Sequence, residues 1–85
     1  MSEISRFFGI IITMYHREHG PPHFHAWYSG KEITVDIVNG AIHGDMPGRA
    51  VALVIEWWKH HRAELEDNWQ LAQRRETLKK IKPLE

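Results

Sequence analysis

The sequence predicts a small α+β domain, in which an antiparallel sheet of three to four strands is followed by a long C-terminal helix, continuous or broken, packed on one face. Three observations predict it. Short alternating or apolar runs separated by turn residues fill residues 4–44. Apolar residues then recur at three- and four-residue spacing over 47–76. With 85 residues the chain makes one core only, because a chain this short buries about 60 to 65% of its unfolded surface. Residues 1–85 are therefore expected to form a single domain, with 77–85 as a basic tail.

Phe8 to Tyr15 carries Ile10, Ile11 and Ile12 in succession, apolar on both faces as an interior strand is. His16 to Pro22 is a loop, because Pro21 and Pro22 lack ladder donors and bias the residues before them away from helix. His23 to Tyr28 alternates as the next strand, and Ser29 and Gly30 turn the chain. Glu32 to Val38 follows, with Ile33, Val35 and Ile37 on one face. Asn39 and Gly40 are a strong hairpin signal leading into Ala41 to Gly44. Pro47 suits a first helical turn, and Ala50, Val54, Trp57, Trp58, His61, Leu65, Trp69 and Ala72 trace an apolar stripe. Unbroken from Gly48 to Glu76, this helix would reach about 43 Å, against about 23 Å for a seven-residue strand. Either it bends near His61 to Ala63, or its second half overhangs the sheet and meets another chain.

Eleven basic and eleven acidic residues give zero net charge with neutral histidines, which argues against gripping nucleic acid by bulk electrostatics. A local basic patch stays compatible with that balance. Cysteine is absent, which excludes disulfides, a thiolate nucleophile and Cys-ligated zinc. The longest apolar runs, Phe7 to Ile12 and Ala50 to Ile55, fall far short of the roughly 20 residues of a bilayer span. Met1, Ser2 and Glu3 lack the basic start of a secretory signal, so a cytoplasmic protein is expected.

Seven histidines are the abnormal part of the composition. Strand register turns them into a geometry. A two-residue turn at Ser29 and Gly30 pairs Tyr28 with Lys31, Ala26 with Ile33, Phe24 with Val35 and His23 with Asp36. A two-residue turn at Asn39 and Gly40 pairs Val38 with Ala41, Ile37 with Ile42 and Asp36 with His43. The polar face then carries a row His23, Asp36, His43 beside a second row His25, Thr34, Asp45, with neighbours close enough to touch. Three readings fit. His23, His25, His43 and Asp36 hold a divalent metal; or a histidine oriented by Asp36 works as general acid or base in phosphodiester cleavage; or the cluster is a structural hydrogen-bonded patch.

His16 and His19 lie in the loop before the prolines, where they either arch over this face or remain solvated. Trp27 shares the face of His23 and His25, where it could stack on a base or sugar, with Arg17 and His19 as further substrate contacts. Trp57, Trp58 and Trp69 read as core, or as an interface for a second copy or another protein. Arg74, Arg75, Lys79, Lys80 and Lys82 make the end of the chain locally basic.

The segment FGIIITMYHREHGPPHFHAWY, the alternating strand after it, Pro47-x-Arg49-Ala50, the EWW and HRAELEDNW runs and the lysine-bearing end together resemble the bacterial family called domain of unknown function 4160. The resemblance spans essentially the whole chain and is most specific at Pro21, Pro22, His23, Phe24 and His25. It implies a bacterial cytoplasmic protein from a two-gene, toxin-antitoxin-like module, held with a small antitoxin-like partner. It implies no established active site. The leading expectation is thus a toxin-like protein acting on nucleic acid through His23, His25, Asp36 and His43; the alternatives are a non-catalytic partner-binding or dimerising module, and a metal-binding domain without catalysis.

Overall fold

The structure, a computed structural model, describes residues 2–85. Five strands and two helices follow in order: β1 (Ser2–Phe7), β2 (Ile10–Met14), β3 (His23–Tyr28), β4 (Lys31–Asp36), β5 (Ile42–Gly44), α1 (Gly48–His60) and α2 (Arg62–Gln73). The strands form one antiparallel meander in the order β1-β2-β3-β4-β5. The class is α+β, as expected, but the sheet has five strands rather than three or four.

The additional strand is β1, which the sequence conceals because the apolar Phe8 reads as part of a strand. Phe8 instead opens a two-residue turn with Gly9, at φ +48 and +78. Positive φ at both central residues is what a tight hairpin turn requires, and Phe is not a residue that advertises it. Phe7 thereby pairs with Ile10, which places Ile4 and Phe7 in the core.

The expected long helix is two helices, broken at the expected place. His61 leaves helical geometry at φ −132 and ψ 24. Its amide closes α1 on the Trp58 carbonyl, and its own carbonyl opens α2 by accepting from Leu65. The break turns α2 so that Leu65, Trp69 and Ala72 share one core with Val54 and Trp57. Trp57 packs on Phe7 and Phe24 at ring-centroid distances of 5.5 and 5.6 Å. Each fully buried side chain of this size contributes on the order of 2 to 3 kcal/mol. Trp57, Trp58 and Trp69 are buried within the one chain, so their side chains serve the core and are not an exposed interface.

Residues 77–85 are neither helix nor strand, yet they are fastened down. The Ile81 amide bonds to the Ile4 carbonyl at 2.8 Å, and the Ile81 side chain is buried. Asn68 holds both the amide and the carbonyl of Lys79 at 2.9 Å, and Trp57 Nε1 donates to the Lys82 carbonyl. This basic end is therefore a strap beside β1. Among the described residues, no helix is long and apolar enough to cross a membrane.

Candidate metal centre

The β3–β4 register is the expected one: His23 faces Asp36, His25 faces Thr34 and Ala26 faces Ile33. Alternation puts Phe24 and Ala26 on the helix-covered side, leaving His23, His25 and Trp27 on the other.

The β4–β5 register differs by two residues. Val35 faces Ile42 and Thr34 faces His43, and the Asp36 amide bonds to the Ala41 carbonyl. The cross-strand pairing of Asp36 with His43 is therefore corrected, and the row is His25, Thr34, His43. Asp36 explains the slip. Its Oδ1 accepts from the amides of Val38 and Asn39 at 2.8 and 3.1 Å, and its carbonyl accepts from Gly40. An Asx turn of this kind builds a four-residue connection from Ile37 to Gly40, within which Ile37 is buried. Among the described residues, the hydrogen bonds of Asp36 go to backbone groups and not to an imidazole. His43, exposed, shares only a cleft of about 130 Å³ with His23, Thr34, Asp36 and Pro21.

What closes over the histidines is Glu18, which the sequence reading passed over between His16 and His19. The loop 16–22 is pinned at its base: the Arg17 amide donates to the Ala72 carbonyl, Gln73 Nε2 donates to the Glu18 carbonyl, and His16 Nε2 donates to the Glu76 carbonyl. Arg17 takes φ +56 there. The turn directs Glu18 inward, while His16, Arg17 and His19 stay exposed. Glu18 Oε1 lies 3.1 Å from His23 Nε2 and 3.0 Å from His25 Nε2. One ligand atom from each of Glu18, His23 and His25 falls within 4.8 Å of the others.

Both imidazoles are aimed by their far nitrogens. His23 Nδ1 donates to the Pro21 carbonyl at 2.9 Å, and His25 Nδ1 donates to Glu32 Oε2 at 2.6 Å. Oxygen acceptors at Nδ1 fix the orientation of each ring and turn both Nε2 atoms toward one point, the usual support of a metal-binding histidine. Glu32 was legible from the register, since it stands diagonally across from His25, two residues from Thr34. Packing locks the rings further: Tyr15 meets His25 edge-on at 4.5 Å, and Trp69 contacts His23 at 5.3 Å. Partial burial raises the Glu18 carboxyl, but hydrogen bonds from the His25 and His23 imidazoles outweigh it and hold the group below its ordinary range.

Ligand bonds of about 2.1 Å imply ligand atoms about 3.0 to 3.4 Å apart in octahedral or tetrahedral geometry. The separations of 3.0 and 3.1 Å to Glu18 match that spacing. Two histidines and one carboxylate are a donor set for zinc or ferrous iron that leaves coordination positions open.

No curated protein and no solved structure matches the chain. The model of one family, described as Domain of unknown function (DUF4160), matches residues 9–70. That stretch covers β2 through most of α2 and contains Glu18, His23, His25 and Glu32. By this match over most of its length, the chain belongs to the DUF4160 family.

Proposed function

We propose that this protein is a divalent-metal-binding domain in which Glu18, His23 and His25 are the ligands and Glu32 orients His25. The observation that carries the reading is the convergence of both Nε2 atoms on one Glu18 oxygen while both Nδ1 atoms are held by oxygens behind them. Three protein ligands with open positions suit a centre that polarises a bound oxygen, rather than a closed structural site. Calorimetric titration of metal-free protein with Zn²⁺, Mn²⁺ and anaerobic Fe²⁺ tests it. One equivalent should bind to the wild type and to His43→Ala, and none to Glu18→Ala or His25→Ala; an absence of uptake by the wild type ends the proposal.

A second reading places the same centre in a toxin-like member of a bacterial cytoplasmic two-gene module, acting on nucleic acid and held by an antitoxin-like partner. The cleft shared by His23, Thr34, Asp36 and His43 favours it, since it sets an imidazole and a hydroxyl beside the centre. RNA and DNA incubated with zinc- or manganese-loaded protein should be cleaved, and expression should slow growth. Intact nucleic acid together with unaffected growth removes this reading.

A further inference from the structure

The open face of the sheet carries a second feature that the metal centre does not use. Ile11 faces Trp27 and Thr13 faces His25 across β2 and β3. Alternation brings Ile11, Thr13 and Tyr15 onto the face of His25 and Trp27. Together Ile11, Thr13, Tyr15 and Trp27 line a groove of about 310 Å³ that opens to solvent. Two of its four lining residues, Tyr15 and Trp27, are aromatic.

The groove presents carbon almost exclusively, for a specific reason. Trp27 Nε1 donates to Thr13 Oγ1 at 3.0 Å, so the indole's single donor is already used. A ligand seated there gains ring contact and apolar burial rather than hydrogen bonds. For scale, an enclosed apolar cavity of about 150 Å³ already accepts benzene. The groove adjoins the metal centre, because the Tyr15 ring that lines it packs edge-on against the His25 ring at a centroid distance of 4.5 Å.

Resting on the metal reading above, we infer that this groove is the ring-binding half of a ligand site whose other half is the ion held by Glu18, His23 and His25. The ligand class is a small aromatic acid. Its ring lies between Tyr15 and Trp27, and its anionic oxygen, from a carboxylate or a phosphate, takes an open position on the metal.

The test is titration of zinc-loaded protein with benzoate, phenyl phosphate and acetate, observed through the ¹⁵N indole signals, with that of Trp27 assigned by Trp27→Phe. An aromatic acid should shift the Trp27 signal and bind at least tenfold more tightly than acetate. Benzoate against phenyl phosphate then distinguishes carboxylate from phosphate as the anionic group. Removing zinc with a chelator should weaken aromatic-acid binding at least tenfold. Ile11→Glu, at a half-buried strand position that lines the groove and lies outside the ligand set, should abolish the aromatic advantage while leaving zinc uptake intact. Zinc uptake with no preference of either aromatic acid over acetate overturns this inference and leaves the metal centre standing. So does a concentration-dependent dimer in which Trp27 is covered by a second copy. A wild type that takes up no zinc overturns the metal reading itself, and the ligand site falls with it.

Discussion

His25 Nδ1 stands 2.6 Å from a Glu32 carboxylate oxygen while Nε2 of the same ring stands 3.0 Å from Glu18, so one buried imidazole is held between two acidic side chains. Glu18 comes from a loop and Glu32 from the start of β4; only the β3–β4 register and the pinned loop bring them to opposite sides of one ring. The two carboxylates have different work. Glu18 is a ligand and Glu32 is a positioning residue. Glu32→Gln keeps an acceptor near Nδ1 but removes its charge, and it should weaken zinc binding by about 10- to 100-fold while one equivalent still binds. Competition with a chromophoric chelator measures this, and an unchanged affinity removes Glu32 from the account.

Asp36 should behave in the opposite manner. Its carboxylate caps the turn after β4 by accepting two amide hydrogens, each bond contributing about 0.5 to 1.5 kcal/mol. Asp36→Ala should lower unfolding free energy by about 1 to 2 kcal/mol in urea and leave zinc affinity within about twofold. A collapse of zinc affinity with unchanged stability would return Asp36 to the metal site.

Gly40 answers for the same turn from the other side. At φ +76, a Cβ on it would lie 2.8 Å from Trp58 Cη2 and 2.9 Å from Cζ3. Trp58 is buried and donates its indole N–H to the Ile37 carbonyl within that turn, so the ring has little room to withdraw. Gly40→Ala should cost about 2 kcal/mol or more, from left-handed strain plus the clash. Adding Trp58→Phe, which deletes the clashing atoms, should make the double variant less unstable than the sum of the singles. Strict additivity contradicts the contact.

The strap at 77–85 depends on Asn68, almost fully buried and bonded to both backbone groups of Lys79. Asn68→Ala should cost about 1 to 3 kcal/mol by leaving those groups unpaired. Limited proteolysis should then cut near Lys79 and Lys80 faster than in the wild type. Equal cleavage rates would show that Ile81 and Trp57 hold the strap without Asn68.

Residue chemistry made some of this architecture legible and concealed the rest. The β3–β4 register could be read because Ser29-Gly30 sits between two strands whose apolar residues match in one alignment. The β4–β5 register could not be read from Asn39-Gly40 alone. That dipeptide suits a two-residue turn, and the capping of the Val38 and Asn39 amides by Asp36 favours the longer one. β1 was hidden by Phe8, an apolar residue placed where a turn needs positive φ. Helix length left two readings, a bend near His61 to Ala63 or an overhang beyond the sheet, and the backbone of His61 shows the bend. In the site, His23 and His25 stood out because alternating histidines are rare, whereas Glu18 is an ordinary loop acid until the Ala72 and Glu76 carbonyls fix the loop that carries it.

The central claim is that Glu18, His23 and His25 share one metal ion, and anomalous diffraction at the zinc edge from crystals grown with one equivalent of Zn²⁺ tests it most directly. The account predicts a single strong peak about 2.0 to 2.2 Å from Glu18 Oε1, His23 Nε2 and His25 Nε2, absent from Glu18→Ala crystals. A peak bound instead by His43 and Asp36, or no peak while the Glu18 contacts to both imidazoles persist at full zinc occupancy of the solution, would contradict it.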